Sequence, residues 1–209
     1  MIITRHGNTF FKFVFADKTI AFNPISKNSK QKISKFGSDL AISSLFHPDF
    51  NGYDEVTFKD KKPFVIKGAG EYEINDIFIK GYGLKQKFQE VDEMLTSYTI
   101  LFDSINIALF GPIISSEEFS NEAFDDFSKA EVFLVPIGGG DTFLPKDAAK
   151  FIKQFNPKII IPIFYSQKSD LEEFASALSI EIEKMDKLTL KKSDISDDVP
   201  VRIIDLDIN

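Results

Sequence analysis

The hydrophobic pattern changes character about halfway along the chain. In the first 110 residues, apolar positions recur with a period of two in short runs. TFFKFVF (9–15) puts Phe11, Phe13 and Phe15 on one face, and TIAFN (19–23) returns after a polar turn, the signature of a β-hairpin. IITR (2–5), DLAIS (39–43) and PFVIK (63–67) predict further strands. GAGEYEINDIFIKGYG (68–83) reads as strand, Asn-Asp turn and strand, and residues 97–102 and 105–110 as a hairpin across Asp103-Ser104. The polar stretch 26–35 predicts a short helix or a loop.

Beyond residue 110 the period lengthens. Residues 116–127 carry Phe119, Ala123 and Phe127 at helical spacing. Residues 145–155 predict a helix that opens on Pro145 and stops at Asn156-Pro157, and residues 170–178 another with acids in its first turn. Between and after them, EVFLVPI (131–137), KIIIPIF (158–164) and VRIIDLDI (201–208) are apolar strands. Strands, then alternating strands and helices, then strands again predict sheets covered by helices in layers. No repeat or linker divides the chain, so one domain over 1–209 is expected.

Composition narrows the chemistry. With 43% hydrophobic and 27% charged residues the chain can bury a substantial core, and its 23 Phe with no Trp make phenylalanine the main packing unit. A net charge of −7 with scattered Lys and Arg argues against nucleic-acid binding. The absence of Cys excludes disulfides, thiolate nucleophiles and Cys-ligated zinc. No basic-then-apolar leader and no apolar run of about 18 residues is visible, so a cytoplasmic protein without membrane partners is expected.

The candidate chemistry centres on SLFHPDFNGYD (44–54). Its His47 and Asp49, at i and i+2 in a loop after a strand, can face one centre. Two donors fall short of the three protein ligands of a catalytic zinc and the four of a structural one, and the only other histidine, His6, is distant in sequence. Gly138, Gly139 and Gly140, following a strand, are a candidate anion-binding loop as well as a plain sharp turn. Glu71 and Glu73 share a face of one strand, which fits a solvated edge better than an acid–base pair.

Several of these segments, HGNTFFKFVFADKTIAFNP (6–24), FVIKGAGEYEINDIFIKGYG (64–83), PIGGGDTFLPKDAAKFIKQF (136–155) and NPKIIIPIFY (156–165), resemble the metallo-β-lactamase superfamily. The likeness is to its ascorbate-6-phosphate-lactonase-like branch of small metal-dependent hydrolases. The resemblance implies an α+β fold, a four-layer αβ/βα sandwich with two mixed sheets flanked by helices. It also implies a metal site built on T-H-x-H-x-D-H, a G-H-S loop, an Asp after a strand and the His of P-x-H-Y. Transferred to this chain, those ligand positions fall on Leu45, His47, Asp49, Phe50, Asn8, Pro112 and Phe164, so only His47 and Asp49 keep the ligand chemistry. The Asp that precedes Pro in the branch is Asn23 here. Apolar replacement is what the physics of an abandoned metal pocket favours, because an unpartnered buried polar group costs about 1–3 kcal/mol.

The expectation is therefore a catalytically degenerate member of the fold, a binding or scaffold protein without a metal cofactor, forming a homo-oligomer if it follows its branch. Two alternatives stand beside it. One is a hydrolase of lactones or phosphate-bearing substrates with a single-metal or otherwise atypical site, using zinc, iron or manganese. The other is a module that binds small anions through the glycine loop.

Overall fold

The computed structural model describes residues 1–60, 62–196 and 198–209. In chain order the elements are β1 (Ile2–Arg5), β2 (Phe11–Phe15), β3 (Lys18–Phe22), β4 (Leu40–Ile42), β5 (Phe64–Ile66), β6 (Gly70–Ile74), β7 (Ile77–Phe88), β8 (Val91–Phe102) and β9 (Ile105–Leu109). There follow α1 (Asn121–Phe127), β10 (Val132–Pro136), α2 (Pro145–Ile152), β11 (Ile159–Ile163), α3 (Lys168–Leu178), β12 (Ile182–Met185), β13 (Leu188–Thr189) and β14 (Arg202–Leu206). They form two mixed sheets, one in the order β13-β1-β2-β3-β4-β5 and one in the order β12-β14-β11-β10-β9-β8-β7-β6.

Apolar alternation explains how the sheets stack. Phe11, Phe13, Ile42 and Ile66 of the first sheet pack against Ile79, Ile100 and Ile161 of the second, making one core between them. The opposite face of the second sheet meets the helices through Phe110, Phe127, Phe133, Phe151 and Phe174. Phenylalanine builds this layer as an aromatic lattice, with Phe110 and Phe127 at 4.9 Å between ring centroids and Phe151 and Phe155 at 5.1 Å. The outer face of the first sheet is covered mainly by irregular chain. Ile25, Ile33 and Phe36 and the 3-10 turn Tyr53–Val56 close over Phe10, Ala21 and Ala41.

Local chemistry sets the ends of elements. Ser120 caps α1, its hydroxyl accepting from the Ala123 amide at 3.2 Å, so the helix starts at Asn121 rather than at 116 as its periodicity suggested. Pro145 opens α2, which turns Ala148, Ala149 and Ile152 inward. Segment 26–35, open between helix and loop in the sequence, is loop and turn.

The largest departure from the sequence reading is the β7–β8 hairpin. Both strands run for 12 residues, so residues 84–88 and 91–96, unassigned in the sequence, are strand. Leu84, Gln86 and Phe88 are buried while Lys85 and Lys87 are exposed, a period of two partly hidden because Gln86 occupies an inward position. The tip turns through Gln89 and Glu90, both in the left-handed region at φ 49° and 65°, as a two-residue hairpin turn requires.

Topology gathers four connections. The loop after β4 leaves the carboxyl end of a strand in the first sheet, while residue 112 after β9, the glycine loop after β10 and Phe164 after β11 leave the carboxyl ends of three neighbouring strands of the second. Ligands in α/β sheets gather at such ends. Backbone bonds tie the connections together: Phe143 N–H to Ile113 O at 2.8 Å, Ile137 N–H to Ile163 O at 3.1 Å and Phe164 N–H to Asn8 O at 3.3 Å.

Candidate functional site

The loop from Ser43 to Gly52 is held from both sides. Asn23, at φ 52°, uses its side-chain oxygen to accept the Ser44 amide at 2.8 Å, and Ser44 O accepts the Thr96 amide at 2.8 Å. Tyr98 donates its hydroxyl to Ser43 O at 2.8 Å from a fully buried position, and burial raises its pKa. Further along, Gly52 donates to Pro24 O at 2.7 Å and packs so closely that a Cβ there would lie 2.2 Å from Ile25 O. Only glycine permits that approach.

Within this frame His47 and Asp49 come together. The Asp49 amide donates to His47 Nδ1 at 3.3 Å, and His47 Nδ1 stands 3.9 Å from Asp49 Oδ2. Asp49 Oδ1 accepts a short hydrogen bond from Ser29. Both side chains are partly open to solvent. Accepting at Nδ1 leaves the neutral imidazole with its proton on Nε2, pointing to a hydrogen-bond donor at that nitrogen.

The rest of the wall is aromatic. Phe50 and Phe164 lie parallel, 1° between planes and 6.2 Å between centroids. Phe88, from the β7–β8 tip, meets both edge-on at 5.7 and 6.3 Å and meets His47 at 5.2 Å. Phe50 is fully buried, and Leu45 joins the same apolar cluster. Phe164 adopts φ 54°, a strained conformation for so large a residue. Pro112 is buried next to Gly111, where a Cβ would come within 2.7 Å of Ser44 Cβ.

Other predicted residues sit elsewhere. His6 bonds Thr4 at 3.0 Å and packs between Phe10 and Phe36. Burial, then Lys12, lowers its pKa. The glycine loop forms a turn: Gly139 and Gly140 have φ 69° and 63°, and the Gly139 amide bonds Phe143 O at 2.9 Å. Gly138 abuts Phe164, since a Cβ there would lie 2.2 Å from Phe164 O. Asp141 accepts the Gln89 amide at 2.9 Å, anchoring the hairpin tip that carries Phe88. Glu71 is exposed and pairs with Lys80 at 3.0 Å, as a solvated strand edge would.

Sequence reasoning missed Phe88, Ser29 and the Arg5–Tyr165–Asp205 group. Buried Arg5 donates to Gly7 O at 3.0 Å, to both Asn8 oxygens at 3.2 Å, to Tyr165 Oη at 3.3 Å and to Leu206 O at 3.4 Å. Tyr165 donates a short hydrogen bond to Asp205, and burial, then that bond, pushes its pKa up to about 12. Only the inward position of Phe88 had a sequence signal, the alternation that Gln86 interrupts.

His47 and Asp49 provide two donors, and among the described residues no three His, Asp or Glu side chains gather to hold an ion. This donor set does not fit the metal pair that the resemblance implies, nor a three-ligand zinc.

The layered fold and this loop cluster define a protein of the metallo-β-lactamase class. The beta-lactamase superfamily domain matches residues 2–164, and the chain belongs to that family. It is 24% identical over 224 residues to a UPF0173 metal-dependent hydrolase of Methanopyrus kandleri, covering 88% of this chain and 93% of that one. Its fold is similar to a candidate Zn-dependent hydrolase of the metallo-beta-lactamase superfamily from Thermotoga maritima, with TM-score 0.76, 22% identity and 99% of each chain covered. A candidate metal-dependent hydrolase from Parabacteroides distasonis aligns with TM-score 0.69 and 18% identity over 98% of this chain and 93% of that one.

These relatives overturn the expectation of a catalytically degenerate binding or scaffold protein: the proteins this chain matches are named as hydrolases. The inference to a pseudoenzyme had taken apolar residues at ligand positions as loss of activity. A polar pair, His47 and Asp49, stands beside the rings.

Proposed function

We propose that the protein is a hydrolase of the metallo-β-lactamase superfamily with an atypical site. In this reading Asn8, Leu45, Phe50, Pro112 and Phe164 stand where relatives of the lactonase-like branch carry ligands. The reaction centre is drawn onto His47 and Asp49, with at most a single cation beside them. The observation that carries the reading is the pairing of these two residues in the loop after β4, in a chain matched by proteins named as metal-dependent hydrolases.

The chemistry asked of the residues is modest. His47, with its proton on Nε2, donates a hydrogen bond to a carbonyl or phosphoryl oxygen and so polarises it. Asp49 holds the imidazole through its own amide and is itself steadied by Ser29. Phe50 and Phe88 pack against the imidazole and keep water from that side of it, which strengthens its hydrogen bonds. A lactone or a phosphate ester suits such a centre. The test is hydrolysis of a panel of lactones and phosphate esters by the purified protein, with chelator and with added zinc, iron or manganese. Turnover of at least one substrate supports the reading, and no turnover under any of these conditions contradicts it.

A further inference from the structure

We infer that the pocket between Arg5, Asn8, Lys32 and Tyr165 is an oxyanion-binding subsite that takes a phosphate or carboxylate group of the substrate. This inference rests on the hydrolase reading for its link to a substrate, and on the pocket alone for the binding.

The pocket has a volume of about 360 Å³, and Arg5, His6, Asn8, Lys32, Tyr165 and Ser166 contribute to its wall. Among the described residues no carboxylate lines it, although the chain carries 32 acids against 25 Lys and Arg. An acid-free wall is conspicuous on so acidic a protein, and it makes the local potential opposite in sign to the net charge. The segment above continues the theme: Lys27, Lys30, Lys32 and Lys35 fall within SKNSKQKISK (26–35), which contains no acid. Lys35 is paired with Glu55 at 3.0 Å, whereas Lys27, Lys30 and Lys32 have no partner among the described residues.

The donors are arranged rather than scattered. Arg5 spends its guanidinium hydrogens inside the protein and does not itself reach a ligand. By donating to Asn8 Oδ1 at 3.2 Å it fixes the orientation of that amide, and Asn8 Nδ2 is left without a partner among the described residues. Arg5 is thus a positioning residue, with Asn8 Nδ2 and Lys32 Nζ as the contacting donors. Asp205 balances Arg5 at 3.8 Å from outside the wall, so the free charge of the pocket is that of Lys32.

The location fits a substrate group. Asn8 O accepts the Phe164 amide and Tyr165 follows Phe164, so the pocket adjoins the aromatic wall. Segment 26–31 is docked on the His47 loop through Ser26 N–H to Pro48 O at 2.8 Å and Ser29 to Asp49. An anion held here lies beside the reaction centre.

Titration calorimetry of the full chain with inorganic phosphate, and separately with acetate, tests the subsite. Lys32→Glu is the site variant, and Lys150→Glu, on α2 outside the pocket, is the charge control. Saturable binding of one or both anions is expected, weakened at least tenfold by Lys32→Glu and unchanged by Lys150→Glu. Phosphate alone or acetate alone identifies which group is taken. No saturable binding of either anion, or equal weakening by both variants, overturns the inference. The substrate panel keeps the two readings apart: hydrolysis of uncharged substrates without anion binding sinks only the subsite, and anion binding without hydrolysis sinks only the enzyme.

Discussion

The rings of Phe50 and Phe164 lie parallel at 6.2 Å, although one belongs to the loop after β4 and the other to the turn after β11. The stack joins connections from two different sheets, and Phe88 closes it edge-on from a third element. A side-chain contact of this kind fixes the relative position of loops that the backbone alone leaves adjustable.

The stack should therefore carry stability as well as shape. Phe50→Ala is expected to cost about 3–5 kcal/mol in denaturant unfolding, as for other buried rings. A double-mutant cycle with Phe164→Ala should show a coupling of about 0.5–1.5 kcal/mol beyond area burial. Additive losses would mean that the rings are neighbours without interaction.

Gly52 fixes the end of the His47 loop against Pro24 and Ile25. Gly52→Ala puts a methyl group 2.2 Å from Ile25 O and must displace the backbone. We expect it to lower stability by about 2 kcal/mol or more, a cost in the range of backbone strain and overpacking, and to reduce hydrolysis. A thermal midpoint equal to that of the wild type would show that the loop yields without cost.

Asp126 predicts an acid-dependent change far from the site. Burial works against its charge, but hydrogen bonds from Lys129, Tyr82 and Lys80 prevail and hold its pKa at about 2, below the ordinary 3.8. The folded value is depressed, so the contribution is full above about pH 4 and is lost as pH falls through about 2. Asp126→Asn should thus be less stable than the wild type at pH 7, with the gap narrowing between pH 4 and pH 2. Urea midpoints at several pH values measure this, and a gap independent of pH would contradict it.

Most strands and all three helices were legible because their apolar positions follow periods of two or 3.6. The β7–β8 extension was not, since Gln86 sits at an inward position where it serves Ile114 N–H and Ser115 O rather than a core. In the site, His47 and Asp49 could be read from their spacing, and the meeting of Phe50 with Phe164 depended on how two sheets stack, which no local pattern encodes. Arg5 gave no signal either, because a lone arginine in a strand has the same sequence appearance whether it is solvated or buried. The error about catalysis came from treating the ligand positions as the whole of the chemistry.

The most direct measurement compares wild type with His47→Ala and Asp49→Ala on whichever ester the panel shows to be turned over, at fixed metal content. If these two residues are the working pair, kcat/KM falls at least 100-fold in His47→Ala and clearly in Asp49→Ala while both variants remain folded. Undiminished turnover in both would place the reaction elsewhere on the molecule and contradict the account.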